Sequence, residues 1–358
     1  MNGANQIERV LSKEIVDTEP PDVLTEGWLH KLMVIFHAPE QWPGWLLAVL
    51  AGLIAGCMGG LWQIIVHGRL AGMIVSGILL GFIGLDALLF SLLPQLEISY
   101  GPKKAQTVVL AVARTFLTLL LIVPALPLNI QQGLGLLLGT HLLGTAALLW
   151  GTAVEPFRLQ ANEYMVFSDR LPADLPAIRI LHLTDLHIER ITMRETAVLQ
   201  KIQDLKPDLI VMTGDYVNLS YNRDPVTLRQ IRHFLSQLSA PYGVYATLGS
   251  PPVDLRQTIV PLFEGLHIQL MRQQWATIKI DQHRHITLLG LDCTHHIPTD
   301  AARLLHLAQE APHEHPLVLL YHSPELMPQA TALGIDLYLC GHTHGGQVRV
   351  PLIGPILT

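Results

Sequence analysis

Four long apolar segments constrain the fold of this chain more than any other feature of its sequence. They occupy residues 45–66, 70–93, 107–126 and 133–152, with polar residues and prolines between them. Each has about 20 residues, enough for a helix to cross roughly 30 Å of hydrocarbon. A helix in water would need a polar face at helical spacing, which these segments lack. The pattern therefore predicts a domain of four transmembrane helices at residues 45–153.

One charge inside the third segment, Arg114, admits two interpretations. Ionisable groups within a membrane are rare, so it could be a functional charge. It also lies close to the segment end that carries Lys104. Because long basic side chains reach towards the nearest interface, we expect Arg114 to extend to that interface.

Basic residues in the flanks predict how the segments are oriented. Arg69 alone lies on one side, whereas the side of the N-terminus holds Lys31, Lys103, Lys104, Arg158 and Arg170. Lysine and arginine concentrate on the cytoplasmic side of membrane proteins. We therefore expect a multi-pass protein of the inner cell membrane with both termini in the cytoplasm. Residues 1–44 would form a cytoplasmic N-terminal segment.

The rest of the chain has the composition of a globular protein. Residues 154–176 contain prolines that break regular structure and read as a linker. From residue 177, apolar runs alternate with helical patterns, which predicts an α/β domain at residues 177–358. The net charge of -6 gives no indication of nucleic-acid binding. Three scattered cysteines indicate neither a disulfide framework nor a cysteine metal site.

Polar residues follow several predicted strands at the point where each strand ends. Open α/β sheets place their ligands beyond the carboxyl ends of strands. In an extended backbone, residues two apart point the same way. Carboxylates and imidazoles aimed at one point suit a divalent transition metal. The residues concerned are Asp185, His187, Asp215, His322, His342 and His344.

These residues resemble the signature of the calcineurin-like metallophosphoesterases over residues 177–351. The matching motifs are Asp185-Leu186-His187, Gly214-Asp215, His322 and Gly341-His342-Thr343-His344. The Gly-Gly-Gln-Val run after His344, with the preceding apolar segments, is most similar to the bacterial membrane-associated branch of the family. The resemblance implies an α/β/β/α sandwich with two divalent metal ions, commonly Mn, Fe or Zn. It also implies hydrolysis of phosphomonoesters, phosphodiesters or pyrophosphates.

The resemblance further implies a role for each site residue. Asp185, His187 and His344 would hold one metal, and His322 and His342 would hold the second. Asp215 would bridge the two ions, so Asp215 and His344 are the expected catalytic residues. Asn218, which follows Asp215 closely, and Ser250 are candidate substrate contacts.

The sequence departs from the family pattern at Gly249-Ser250-Pro251, where the family has Gly-Asn-His. Ser250 replaces the asparagine that ligates the second metal. Pro251 replaces the histidine thought to protonate the leaving group. A hydroxyl is a poor ligand, so we expect one firmly and one weakly bound metal ion. His295 and His296 could replace the lost acid, but a surface loop is the favoured interpretation for both.

A second departure is that the chain ends at Thr358, soon after the last expected ligand. Family members usually continue with further strands, so we expect a truncated C-terminus or a smaller second sheet.

The resulting prediction is a membrane-anchored, metal-dependent hydrolase of phosphodiesters or pyrophosphates, working among membrane lipids at the cytoplasmic face. Its substrate would be a lipid or lipid precursor, and a UDP-diacylglucosamine pyrophosphate is one candidate from the resemblance. The alternative is a catalytically degenerate, metal-binding regulatory protein. A membrane carrier is disfavoured because the apolar segments hold almost no charge pairs.

Overall fold

The computed structural model describes residues 35–66, 68–99, 101–171, 176–346, 348–350 and 354–357. These residues fall into two compact units. The helical unit holds the described residues of Trp28–Gln160 together with Thr192–Arg194. The α/β unit holds those of Ala161–Ile191 and Glu195–Thr358. Most of the predicted N-terminal segment, residues 1–44, and residues 172–175 of the predicted linker lie outside the described residues.

The helical unit contains four long helices. They are α1 (Gly44–Ile65), α2 (Arg69–Leu92), α3 (Lys103–Leu120) and α4 (Ile130–Leu149). Helix α4 begins with a capping box, in which Asn129 and Gln132 each bond the other's backbone N–H. Helices α1 and α2 approach closely at two glycines. A Cβ atom on Gly59 would lie only 2.3 Å from the carbonyl oxygen of Gly72, so a larger residue would separate the helices.

Three helical segments in the described part of the chain are long and apolar enough to cross a membrane. They are Gly44–Ile65, Arg69–Leu96 and Ile130–Phe157. Helix α3 is not among them, because its 18 residues include Lys103, Lys104 and Arg114. It ends at Leu120, and a short helical turn, Ile122–Ala125, follows. The fourth predicted span therefore stays a prediction.

The side chain of Arg114 is buried inside the helical unit, so the prediction that it extends to an interface is wrong. Its Nε and Nη2 atoms donate to the two carboxylate oxygens of Asp86 at 2.5 and 2.6 Å. Nη2 also donates to Oγ1 of Thr145 at 2.9 Å, and Nη1 to the carbonyl of His141 at 3.3 Å. A buried charge pair thus lies in the apolar region, contrary to the sequence prediction. We call Asp86, Arg114, Thr118, His141 and Thr145 the helical polar cluster.

The α/β unit contains two four-stranded sheets. The first has the order β1-β2-β3-β4 and is entirely parallel, with β1 (Ile180–Leu183), β2 (Leu209–Met212), β3 (Val244–Ala246) and β4 (Ile268–Leu270). The second has the order β5-β6-β7-β8, with β5 (Gln274–Lys279), β6 (His285–Gly290), β7 (Leu317–Leu320) and β8 (Leu337–Leu339). Strands β5 and β6 are antiparallel, whereas β6, β7 and β8 are parallel. A separate antiparallel pair joins β9 (Val348–Val350) and β10 (Gly354–Leu357).

Helices flank both sheets. They are α5 (Met193–Leu205), α6 (Pro225–Leu235), α7 (Arg256–Phe263), α8 (Ile297–Glu310) and α9 (Met327–Ala332). Asp224 is the N-cap residue of helix α6, and its side chain accepts from the backbone N–H groups of Val226 and Thr227.

Alternation along the strands shows how the layers pack. In β2, Ile210 and Met212 pack among residues of α5, α6 and α7, whereas Leu209 and Val211 pack with β6 and β7 of the second sheet. Strand β7 repeats this division, with Leu319 towards α8 and Val318 towards the first sheet. Residues of opposite parity on one strand point to opposite faces. The unit therefore has helix, sheet, sheet and helix layers, the order that the family resemblance implied.

Candidate metal centre

The predicted metal ligands lie beyond the carboxyl ends of strands from both sheets. Asp185 and His187 follow β1, and Asp215 follows β2. His322 follows β7, while His342 and His344 follow β8. Backbone hydrogen bonds join the first two loops, because the His187 N–H donates to the Asp215 carbonyl at 3.0 Å.

Two glycines allow these loops to touch. A Cβ atom on Gly214, where φ is +91°, would lie 2.1 Å from the backbone nitrogen of Gly249. A Cβ atom on Gly341 would lie 2.1 Å from Oδ2 of Asp185. No other residue type fits at either position without a shift of the backbone or the carboxylate.

Five of the six predicted ligands share an unusual backbone conformation. The φ angle is 51° at Asp185, 41° at His187, 55° at Asp215, 72° at His342 and 50° at His344. This left-handed region costs an ordinary residue roughly 1–3 kcal/mol and occurs most often at functional sites. The prediction that these side chains converge because the backbone is extended is therefore wrong. They converge through left-handed turns.

Four side chains form the more open part of the site. Asp185, His187, Asp215 and His344 offer ligand atoms that all lie within 4.8 Å of one another. Nε2 of His344 is 3.2 Å from Oδ1 of Asp185 and 3.1 Å from Nε2 of His187. Two atoms bound at about 2.1 Å to one ion are separated by roughly 3.0–3.5 Å. These distances therefore suit donors that share a cation.

His322 lies on the buried side of Asp215. Its Nδ1 atom faces the carbonyl oxygen of Thr213 at 2.7 Å, so Nδ1 carries the hydrogen and Nε2 offers a lone pair. Nε2 is 3.3 Å from Oδ2 of Asp215, yet it has no hydrogen-bond partner among the described residues. A buried polar atom left without a partner costs about 1–3 kcal/mol. A metal ion is a partner that this nitrogen fits.

The charges of the site support metal binding. Burial raises the pKa of Asp185, but its hydrogen bond with His344 and the nearby His322 outweigh burial and lower this pKa to about 2. Burial lowers the pKa of His322, but the Asp215 carboxylate outweighs burial and raises it to about 9. Burial lowers the pKa of His342 to about 4. The Asp185 carboxylate is therefore ionised and the His342 imidazole neutral near pH 7, as a divalent metal requires, whereas a metal ion would have to displace a proton from His322.

The loop that departs from the family pattern forms the edge of the site. Ser250 is buried, and its N–H donates to Oδ1 of Asp215 at 2.8 Å. Its Oγ atom lies 3.1 Å from Nε2 of His295 and 3.5 Å from Nδ1 of His342. The surface-loop interpretation of His295 is therefore wrong. His296 does not share the contacts of His295 with Ser250. Its Nδ1 atom lies 2.6 Å from Oγ1 of Thr299.

Sequence reasoning missed one residue of the site, Asp254. Its buried carboxylate accepts from the backbone N–H groups of Asp215, Tyr216 and Gly249 at 2.8, 3.0 and 2.8 Å. Burial, followed by the charge of Asp215, raises the pKa of Asp254 to about 7. Asp254 therefore orders the two loops that carry Asp215 and Ser250. The sequence gives no signal that separates it from a surface carboxylate.

Asn218, a predicted substrate contact, uses both of its polar atoms within its own region. Nδ2 donates to Oε1 of Glu189 at 3.0 Å, and Oδ1 accepts from the backbone N–H of Ser220 at 2.9 Å. A role in substrate binding stays a prediction for this residue.

Comparison with known proteins agrees with this geometry. The sequence pattern of the calcineurin-like phosphoesterases matches residues 178–250, which include Asp185, His187, Asp215 and Ser250. The uncharacterized metallophosphoesterase YkuE of Bacillus subtilis is 28% identical over 210 residues, covering 57% of this chain and 71% of YkuE.

Some relatives carry names that describe a specific activity. Phosphodiesterase YaeI of Escherichia coli is 28% identical over 186 residues, 49% of this chain and 64% of YaeI. The UDP-2,3-diacylglucosamine pyrophosphatase LpxG of Chlamydia trachomatis is 33% identical over 104 residues, only 28% of this chain and 31% of LpxG. The pattern match over residues 178–250 and these relatives support the assignment of this part of the chain to the calcineurin-like phosphoesterase family.

Proposed function

We propose that the α/β unit is a metal-dependent phosphoester hydrolase whose two divalent ions are bridged by Asp215. The observation that carries the proposal is the convergence of two carboxylates and four imidazoles at the strand ends of both sheets. The Nε2 atom of His322 adds to this support, because it lies 3.3 Å from the Asp215 carboxylate without forming a hydrogen bond among the described residues.

Each side chain has a distinct task in this proposal. Asp185, His187 and His344 hold the first ion, while His322 and His342 hold the second. Divalent ions at such a site supply Lewis-acid polarisation of a phosphate and lower the pKa of water. The His187 and His344 side chains are 23% and 26% exposed, so phosphate and water can enter on their side. The buried His322 side excludes bulk water.

The departure at Pro251 favours substrates that need little acid catalysis. Proline cannot donate a proton, so the leaving group must depart without help from this position. An alkoxide has a conjugate acid with a pKa of about 16, near that of water. A phosphate leaves as an anion with a second pKa of about 6. We therefore infer a preference for pyrophosphate bonds, the bond class named for the relative LpxG.

The apolar helices support a membrane location for this chemistry. Three segments have the length and composition to cross a bilayer. If α3 crosses the bilayer as a fourth span, Lys103, Lys104 and Arg158 all lie on one side, which favours a cytoplasmic α/β unit at the inner membrane. A membrane-anchored hydrolase meets lipid-linked substrates at high local concentration, so we infer a lipid or lipid precursor that contains a pyrophosphate.

The test is a hydrolysis assay on the purified full chain with added Mn²⁺. We expect a UDP-linked lipid pyrophosphate to be hydrolysed faster than an alkyl phosphodiester, and EDTA to stop both reactions. Asp204→Asn is the matched control, because Asp204 is an exposed carboxylate on α5. It should behave as wild type, whereas Asp215→Asn should not. Bound metal without hydrolysis of either substrate would instead support the degenerate regulatory alternative.

A further inference from the structure

The loop before α8 brings one more imidazole to the metal centre. His295 is 8% exposed, and its ring centroid lies 4.6 Å from that of His342 and 6.5 Å from that of His322. Its φ angle is 58°, in the same left-handed region as the predicted ligands. The chain thus holds His295 in a costly conformation beside the site, although the family resemblance assigns it no role.

Glu325 fixes the orientation and the tautomer of His295. Nδ1 of His295 lies 3.1 Å from Oε2 of Glu325. An ionised carboxylate only accepts hydrogen bonds, so Nδ1 carries the hydrogen and Nε2 offers a lone pair. His322 shows the same arrangement, with Nδ1 on the Thr213 carbonyl. Metal-ligating histidines usually donate their second N–H to a carboxylate or carbonyl in this way.

The lone pair of His295 points to the place where the family pattern has its asparagine. Nε2 is 3.1 Å from Oγ of Ser250, which is 3.5 Å from Nδ1 of His342. His295 and His342 therefore both direct a ring nitrogen towards Ser250, the position that the asparagine ligand occupies in the family pattern.

We propose that His295 is a ligand of the second metal ion in place of the missing asparagine, and that Glu325 is its positioning residue. This inference rests on the proposed function and specifies the donors of the second ion. They would be Nε2 of His295, the His322 and His342 imidazoles, and the Asp215 carboxylate. Three imidazoles favour transition ions such as Zn or Fe over Mg. The second ion would then be firmly held, contrary to the expectation from Ser250 alone.

The test is Mn²⁺ binding by the metal-stripped full chain without substrate, followed through the paramagnetic resonance signal of free Mn²⁺. Wild type should bind two ions per chain. His295→Ala should weaken the second site by about 10²-fold or more, and Glu325→Gln by about 10-fold, the range for lost orienting partners. His306→Ala, which removes an exposed histidine of α8, should bind as wild type.

The outcomes separate this inference from the proposed function. Two ions of unchanged affinity in His295→Ala would refute the ligand role, while Mn²⁺-dependent hydrolysis by wild type would still support the hydrolase. Wild type that binds fewer than two ions would also overturn the inference, and an absence of both binding and hydrolysis would overturn the hydrolase with it. If circular dichroism shows His295→Ala unfolded, Glu325→Gln carries the test, because the Glu325 side chain is 36% exposed.

A different chemistry for the same three residues is also distinguishable. Ser250, His295 and Glu325 have the spacing of a serine, histidine and carboxylate catalytic triad. Under our proposal, Ser250→Ala keeps two Mn²⁺ ions with an affinity change below about threefold, since a hydroxyl is a poor ligand. Loss of all hydrolysis in Ser250→Ala, with two ions bound in every variant, would identify a nucleophilic serine and overturn the ligand role.

Discussion

The two units each bury a cluster of polar groups, and the clusters differ in how completely their hydrogen bonds are satisfied. In the helical polar cluster, Arg114 donates to both oxygens of Asp86 and to Thr145. His141 completes it, with Nε2 3.0 Å from Oγ1 of Thr118. In the metal centre, carboxylates and imidazoles converge, and Nε2 of His322 has no hydrogen-bond partner among the described residues. The first cluster is closed, whereas the second accepts a further partner.

Buried charge alone therefore does not identify a functional site. Charges in apolar helices commonly mark a transport path, but the Asp86–Arg114 pair is satisfied from within. The Phe82 ring packs on this pair. Its centroid lies 5.1 Å from the centroid of the His141 ring and 4.8 Å from the guanidinium carbon of Arg114. This favours a role in fixing how α2, α3 and α4 pack. The metal centre instead holds several of its residues in a strained backbone conformation. It also leaves Nε2 of His322 without a hydrogen bond among the described residues.

The largest expected effect is on stability, when the closed cluster is broken on one side. Arg114→Met leaves the fully buried Asp86 carboxylate without its partner. Removing one member of a buried pair costs about 3–5 kcal/mol. We expect the free energy of unfolding in detergent to fall by that amount, while Mn²⁺ binding stays at the wild-type level.

The matched control replaces both partners of this pair. Arg114→Met with Asp86→Leu leaves no buried charge, and such replacements are often neutral or stabilising. The double variant should therefore be more stable than Arg114→Met. A double variant as unstable as the single one would show that Arg114 contributes packing volume rather than charge compensation.

The second prediction concerns the open cluster. Asp215→Asn removes the carboxylate proposed to bridge the ions, so hydrolysis should fall by about 10²-fold or more. The metal-free stability should also fall, because the ionised Asp215 carboxylate accepts from the Ser250 N–H and attracts His322, which outweighs burial and lowers the pKa of Asp215. The hydrolysis rate, the metal content and the free energy of unfolding should be measured on one preparation of the variant. An unchanged rate with unchanged metal content would show that Asp215 is not part of the site.

The third prediction uses metal to separate the two clusters. A ligand present at 100 times its dissociation constant stabilises the folded state by about 2.7 kcal/mol. Mn²⁺ should therefore slow hydrogen exchange in peptides that contain β1, β2, β7 and β8. Peptides from α1 to α4 should exchange at the rate seen without Mn²⁺, because the polar groups of the helical polar cluster already bind one another. Equal protection in both units would show that Mn²⁺ acts outside the proposed site.

The fourth prediction concerns Asp254, which supports the open cluster. Both of its oxygens accept from backbone N–H groups of the Asp215 and Ser250 loops. Asp254→Asn keeps only one acceptor oxygen, so the loops lose order and Mn²⁺ affinity should fall by about 10-fold. Titration with Mn²⁺ measures this directly, and wild-type affinity would show that the loops hold their shape without Asp254.

The sequence predicted the parts of the molecule that local patterns determine. Asp185, Asp215 and His322 each follow an apolar run, so their place at strand ends could be predicted. Strand β4 was missed because its three residues, Ile268–Leu270, are too few to show a period.

The remaining features depend on contacts between distant residues. His295 reaches Ser250 across 45 positions, and Asp254 acts on backbone groups of another loop. Arg114 was expected at an interface because its partner, Asp86, lies 28 positions away on another helix. No spacing rule within one segment could reveal such pairs.

The smallest expected effect comes from an exposed ion pair in the helical unit. Nη1 of Arg158 is 3.2 Å from Oε2 of Glu155, and the two side chains are 53% and 57% exposed. Because water screens such a pair, it contributes about 0–1 kcal/mol. Arg158→Gln should therefore change the free energy of unfolding by under about 0.5 kcal/mol, measured beside Arg114→Met in the same detergent. The difference should shrink further in high salt, since exposed charges are screened. A loss as large as that of Arg114→Met would show that burial is not what separates the two arginines.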